Sequence, residues 1–298
     1  MALWSLILPE NGQQLITAEA MPGSGVGHAR MGAIQRAASG AGSLDEMGPA
    51  RPRTWRLKYE LLSQADRGVL YAAWREGGAL WLIDPTQLNL LHPNIGMSGA
   101  PHRTLDGFAS LNAEPVSLLS TLTNPAGVYT SRAIQWSPTI NLDSLDIGKS
   151  SPWDVYSTFE VPVEPEQYTF SVYVQRTAAA VLSLNLHCIT DNTAGVQQAD
   201  SIGGTVALTT TWQRMTRSFT PAGTGTRARF ALQNQSGATA AVAQVVAPQL
   251  EKGASATAWQ PSQGPALVVI TSFDEPYSYP RAEYTDADVT FEEIGGPL

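Results

Sequence analysis

Four histidines, one cysteine and several closely spaced carboxylates are the groups in this 298-residue chain that could do chemistry. His28, His92, His102 and His187 share no spacing that would gather them on one metal ion, so no metal centre and no cofactor are expected. Cys188 falls on the apolar side of its strand and reads as a buried structural thiol rather than a nucleophile. Alone, it can form neither an internal disulfide nor a cysteine-based metal site. Glu164/Glu166 and Glu292/Glu293 suggest an acid and a base for glycoside hydrolysis. That reaction needs two carboxylates facing each other across a cleft, one with a raised pKa. Near neighbours along one strand do not provide this, so the pairs read as solvated edge charges and no catalysis is expected. The stretch "GSGVGH" (Gly23 to His28) has the glycines of a phosphate loop but lacks the following Lys-Ser/Thr pair and opens no helix.

The aromatic residues say more. A flat ring exposed on a sheet or loop can stack on the C–H face of a pyranose while amides, His and Arg hydrogen-bond its hydroxyls. Trp136, Trp153 and Tyr156 sit in polar or proline-flanked stretches and are candidates for such stacking. Tyr173, Asn185, His187, Arg229 and Gln233 form a second candidate set, on the polar faces of strands. A plain solvated face is the competing reading for that set. Trp212 and Trp259 are expected in the core.

The elements that must position these residues are mainly strands. In "TWRLKYELLS" (Thr54 to Ser63), Trp55, Leu57, Tyr59 and Leu61 alternate with Arg56, Lys58 and Glu60. A helix is predicted next, with Ser63 as its N-cap, Asp66 near its positive end and Gly77-Gly78 as its stop. The strand "ALWLIDP" (Ala79 to Pro85) follows, then "TQLNLLHPN", where helical and strand readings compete. From Gly99 onward, short strand candidates recur with turn residues between them, the pattern of an antiparallel sandwich. Phe170, Val172 and Val174 alternate with polar neighbours, as do Leu182, Leu184 and Leu186. Two further strands, "ALVVITSF" and "DADVTFEEI", are too few to bury a core alone. They are expected to complete the N-terminal sheet system.

The fold class that follows is mainly all-β: a small barrel with one short helix, plus a β-sandwich. The expected domains are residues 1–98 with 263–298, and residues 99–262. A stretch of about 20–53, rich in Gly, Ala, Pro and Arg, reads as a long arm with strand character only from Arg30 to Ala38. Arg30, Arg36, Arg51 and Arg53 make it basic in a protein of net charge −8. They are candidates for docking on the acidic surface of another copy. The overall charge argues against a nucleic-acid partner. No apolar stretch is long enough to cross a bilayer, so no membrane insertion is expected. The N-terminus lacks the basic residues and cleavage pattern of a signal peptide, which suggests a chain made and kept in the cytoplasm or built into an assembly.

Two resemblances add to this reading. "TTTWQRMTRSFT", followed by a strand run and closed by "VAPQLEKGASATAWQPS", resembles the carbohydrate-binding-module type of jelly roll found in phage tail and wall-associated proteins, over roughly Glu114 to Ser262. Gln249 and Glu251 can bond neighbouring backbone, Leu250 can plug the core, and Lys252-Gly253 can turn the chain. The resemblance implies a jelly roll; no sugar-contacting residue carries over from it. "RPRTWRLKYELLS", "QADRGVLYAAWREGG", "ALWLIDPTQLNLL" and "YTDADVTFEEI" look like the barrel of siphophage distal tail and minor tail proteins.

Together these resemblances imply a structural virion protein of a long-tailed phage, assembled in the host cytoplasm. In this reading it forms a homo-oligomeric ring, expected to be a hexamer, at the tail tip or baseplate, touching the tail tube and tail hub. The jelly roll would face outward towards host cell-surface polysaccharide. The alternative is a lectin-like adhesion module with no ring-forming role. A glycan hydrolase with an accessory domain ranks last.

Overall fold

The computed structural model describes residues 3–7, 14–19, 25–28, 32–36, 42–46, 53–83, 89–99, 104–112, 114–119, 123–130, 132–149, 151, 157, 159–177, 180–192, 194–223, 225–237, 241–262, 264, 266–275 and 284–294. The chain divides into two compact units: Met1–Thr86 with Ala266–Leu298, and Gln87–Pro265. The fold is mainly β, as expected.

The first unit begins with β1 (Leu3–Ile7), β2 (Gln14–Glu19), β3 (Gly25–His28), β4 (Gly32–Arg36) and β5 (Gly42–Glu46). These are followed by β6 (Arg53–Ser63), helix α1 (Gln64–Glu76) and β7 (Leu80–Ile83). The second unit contains α2 (Pro93–Gly96), β8 (Phe108–Ser110), β9 (Val116–Leu119), β10 (Ala133–Trp136), β11 (Ser144–Ile147), β12 (Val161–Pro162) and β13 (Tyr168–Arg176). It continues with β14 (Ser183–Asp191), β15 (Gln197–Ile202), β16 (Val206–Ala207), β17 (Gln213–Phe219), β18 (Arg227–Asn234) and β19 (Ala243–Lys252). The chain then returns to the first unit with β20 (Ala266–Asp274) and β21 (Tyr284–Glu293).

In the first unit a seven-stranded antiparallel sheet runs β2-β1-β7-β20-β21-β6-β3. The two C-terminal strands therefore occupy interior places, β20 paired with β7 and β21 with β6. The alternation read in β6 holds for Trp55, Leu57 and Tyr59, all buried. It then breaks. A register shift against β21 between Thr285 and Ala287 changes the parity, and Leu62 joins the core. Within the basic stretch expected as an arm, β3 pairs with β6, and β4, which lies inside the Arg30–Ala38 segment read as strand-like, pairs with β5.

Helix α1 starts and stops where its caps dictate. The Ser63 hydroxyl accepts the Asp66 N–H at 3.1 Å, and Gly77 takes the left-handed conformation (φ 67°) that a β-carbon would strain. Leu70 is its buried anchor.

The second unit is a β-sandwich. One sheet runs β17-β13-β19-β10-β9 and the other β15-β14-β18-β11-β8, with β12 added on β18 and β16 on β14. The two pack face to face through aromatic rings. Phe170 of β13 stacks on Phe230 of β18 at 3.8 Å, with Phe219 of β17 edge-on to Phe230. Each fully buried Phe or Leu of this layer contributes about 1.5–3 kcal/mol. The segment before α2, expected with the first region, belongs here. Asn89 donates to the Pro248 and Gln260 carbonyls, and the Leu90 N–H donates to Leu250.

The closing motif works as a knot. Opposite Val172 of β13 the register shifts and β19 carries two residues, Ala247 and Pro248; Ala247 has a positive φ (55°) and donates its N–H to the Ser98 hydroxyl. Gln249 is fully buried: its Nε2 donates to Glu251, and its Oε1 accepts from the Gln260 N–H. Glu251 accepts from both the N–H and the hydroxyl of Thr257. Leu250 is buried in the core, and Gly253 turns the chain with φ 116°.

Candidate functional site

The outer face of the second sheet of the sandwich carries the polar residues that could meet a ligand. On β14, Leu184, Leu186 and Cys188 point inward and are buried. Asn185, His187, Ile189 and Asp191 therefore form the outer row. On β18, Ala228, Phe230 and Leu232 point inward, leaving Arg227, Arg229, Ala231 and Gln233 outside. The register sets these rows side by side. Asn185 is opposite Gln233, which is opposite Ser144 of β11. One step along, the row across the sheet reads Ala109, Asp146, Ala231, His187, Ile202. Of that row only Ile202 is exposed; Ala109, Asp146, Ala231 and His187 are buried.

His187 is held by Asp200 of β15, with Nδ1 2.9 Å from Oδ2 and 3.2 Å from Oδ1. Nε2 accepts when the ring is neutral with its proton on Nδ1 and donates when the ring is an imidazolium. It is buried and has no hydrogen-bond partner among the described residues. The Arg229 Nε donates to Asp191 Oδ2 at 2.6 Å, leaving Asp191 Oδ1 unpartnered among the described residues, like Asn185 Oδ1.

Glu160 completes the face. Val161 pairs with Ala228 and both are buried, so by alternation Glu160 lies outside, beside Arg229. Only 6% of Glu160 is exposed, and neither carboxylate oxygen has a partner among the described residues. Burial, then the charge of Asp191, pushes its carboxyl up to about 7 against the pull of Lys149, Arg227 and Arg229. Burial likewise raises the Asp146 carboxyl, opposed by Arg229 and Lys149.

Of the residues selected from sequence, Asn185, His187, Arg229 and Gln233 share this face. Tyr173 does not. It lies on β13 in the opposite sheet, with the Arg214 guanidinium 5.4 Å from its ring centroid, packed against a small cluster around Val246 and Trp259. Trp136 needs a correction as well: it is fully buried, so no ring face is open to a sugar. Trp259 is buried as expected. Trp212 is half-buried and donates its indole N–H to the Thr123 carbonyl. Trp153 and Tyr156 lie outside the described residues, as do Arg30, Arg51 and the side chain of Arg36.

Arg53, selected for an interface with another copy, is buried and joined to Glu293 of its own unit. The carboxylates read as solvated also divide. Glu164 is buried and bonded to Lys252, which also reaches the more exposed Glu166, while Glu293 is buried. Cys188 is a buried free thiol, as read. Among the described residues no three His, Cys, Asp or Glu side chains are grouped to hold a metal, and no helix is long and apolar enough to cross a membrane.

Sequence reasoning missed Glu160, Asp146, Asp191 and Asp200. Asp191 was within reach of it, since it continues the alternation that begins at Asn185 and His187. Glu160 carried no such signal, because β12 holds only two residues.

No family model and no curated protein matches this chain. Among solved structures, the CBM22-1 xylan-binding domain of Paenibacillus barcinonensis Xyn10C is similar with 13% identity and a TM-score of 0.38, covering 50% of this chain and 88% of that one. TmCBM61, solved with beta-1,4-galactotriose, gives 12% and 0.32, covering 46% and 82%. The enzymatically active domain of bacteriophage CBA120 tailspike protein 4 gives 12% and 0.39, covering 54% of this chain and 22% of that one. Likeness at this level brings neither a ligand nor an activity to this chain.

Proposed function

We propose that the second unit is a non-catalytic glycan-binding sandwich whose ligand lies across the outer face of β14 and β18. The observation that carries this reading is the grouping of the partly exposed Asn185, Arg229 and Gln233 on adjacent strands, beside the buried His187. These side chains hold hydrogen-bonding groups on a rigid sheet, where a planar array can meet the hydroxyls of a sugar at little ordering cost. The sequence-selected carboxylates Glu164 and Glu293 are tied up in ion pairs, which leaves them unsuited to acid–base work. A glycan array probed with the wild-type chain and with Asn185→Ala, His187→Ala and Gln233→Ala tests the reading. Retention lost in these variants with folding intact supports it; retention unchanged in all three refutes it.

A second reading concerns the whole chain: a distal or minor tail component of a long-tailed phage, ring-forming through its first unit, with the sandwich facing host polysaccharide. Its support is the sequence resemblance together with the placing of β20 and β21 between β7 and β6, the arrangement expected of a barrel completed by the C-terminus. Light scattering across a concentration series, followed by imaging of assembled particles, tests it. A particle preparation lacking the chain would refute it.

A further inference from the structure

We infer that the sandwich carries a second binding face, on the outer side of its first sheet across β10, β19 and β13, and that this face takes a segment of uncharged polysaccharide. The register sets one row straight across the strands: Ser117 of β9, Gln135 of β10, Gln244 of β19 and Gln175 of β13. Their neighbours Ile134, Val245 and Val174 are buried, so by alternation the glutamines point away from the core. Each glutamine is half-buried and Ser117 is exposed.

The row has hydrogen-bonding capacity to spare, in both senses. Gln175 Nε2 donates to Gln244 Oε1 at 2.6 Å, which leaves Gln175 Oε1 to accept and Gln244 Nε2 to donate. The Gln135 amide makes no hydrogen bond among the described residues, so it offers both. These unengaged atoms are not among the buried ones, and a ligand can reach them. Exchanging O and N within the bonded pair leaves the same balance. Sugar hydroxyls call for such a mixture, because each both donates and accepts.

Charge is absent from this half of the face. Two residues further along the same strands come Ser137, Val242 and Thr177, the Thr177 N–H donating to the Val242 carbonyl. On the other side lie Leu119 and Ala133, then Val246, Tyr173 and Arg214. The Arg214 guanidinium is committed to Ser171 Oγ and the Thr257 carbonyl. The outer face of the second sheet, by contrast, holds Asp146, Glu160, Asp191, Arg227 and Arg229. An uncharged row has nothing to pair with an anionic ligand and no ion to strip of water when a neutral one settles. Tyr173 and Trp212, both half-buried and packed on the cluster of Val246 and Trp259, edge the row with apolar ring surface for a pyranose C–H face. The strand spacing of about 4.8 Å is close to the span of one pyranose, so a chain lying across the strands meets one amide per ring.

The experiment uses the full chain against soluble xylan, galactan, mannan and glucan, with polygalacturonate as the anionic probe, by affinity electrophoresis and calorimetry. Thermal melts check that each variant folds. With Asn185→Ala and Gln233→Ala together, which strip the β14–β18 face, the chain should still bind at least one neutral polymer. Adding Gln135→Ala and Gln244→Ala should weaken that binding about tenfold, the effect of two lost neutral hydrogen bonds. Loss of all neutral binding in the Asn185→Ala, Gln233→Ala chain would overturn the second face and leave the β14–β18 reading standing. Binding in that chain that the glutamine changes leave untouched, or polygalacturonate held through the glutamines as tightly as the neutral polymers, would overturn it as well. Binding that depends on the glutamines alone would uphold this inference and overturn the β14–β18 reading. Failure of every polymer to bind the wild-type chain would overturn both.

Discussion

Arg53 and Glu293, 240 positions apart, are joined by three hydrogen bonds in the buried part of the first unit. The Arg53 backbone N–H and Nε both donate to Oε2, at 2.9 and 3.1 Å, while Nη2 donates to Oε1 at 2.9 Å. The guanidinium also lies 4.9 Å from the Trp55 ring centroid. Removing one partner of such a pair strands the other charge, which costs about 3–5 kcal/mol. Arg53→Ala should therefore lower the unfolding transition of the first unit sharply, with Glu293→Gln milder. A double-mutant cycle in denaturant measures the coupling, and additive single effects would remove the pair's structural role.

The Gln249–Glu251 knot makes a second prediction. Glu251 is buried and accepts two hydrogen bonds from Thr257, which fastens the segment ahead of Trp259 onto the sandwich. Glu251→Ala removes the 2.9 Å acceptor of the buried Gln249 amide, a loss of about 1–3 kcal/mol, while the exposed Thr257 turns its donors to water. Expected readouts are a lower midpoint for the second unit and a red-shifted tryptophan emission as Trp259 becomes wetter. Thr257→Val should show a smaller loss in the same direction.

Cys188 is buried in the sandwich core, and burial raises its thiol well above the usual range. The native chain should resist a thiol reagent over hours and react in one step in denaturant. Fast labelling of the native protein would show that β14 opens locally.

Glu160 makes stability depend on pH in a defined direction. Its carboxyl holds a proton up to about pH 7 when folded, against 4.5 as the ordinary value. Between those values the folded state binds more protons than the unfolded one, so this group's contribution falls as pH rises and stays low above pH 7. Glu160→Gln removes the dependence. Relative to wild type, the variant should gain up to about 3 kcal/mol between pH 4.5 and pH 8. Equal pH profiles for the two proteins, by chemical denaturation, would show that the carboxyl titrates normally.

Much of the fold was legible because alternation within a strand is a local property. Trp55, Leu57 and Tyr59, the capped helix α1, and the Leu184–Cys188 row all follow from spacing alone. What alternation does not say is which sheet a strand joins. β13 and β14 are consecutive yet lie in opposite sheets, so Tyr173 and His187 could not share a face however well each was read. Trp136 misled for a related reason: a short strand in a polar context, β10 is flanked by β9 and β19, and its ring turns into the core. The charge readings failed where partners come from afar. Glu164 is matched by Lys252 and Glu293 by Arg53, and no local pattern announces either pairing.

The interior places of β20 and β21 bear on how the molecule is made. A ribosome delivers β6 and β7 long before the strands that will separate them, so for most of translation both carry bare backbone edges ready to pair wrongly. The sandwich, whose last strand is synthesised earlier, can close while those edges still wait. Nascent chains stalled just short of residue 266 should therefore hold a finished sandwich beside sticky, protease-sensitive strands, and would be the aggregation-prone stage of biosynthesis.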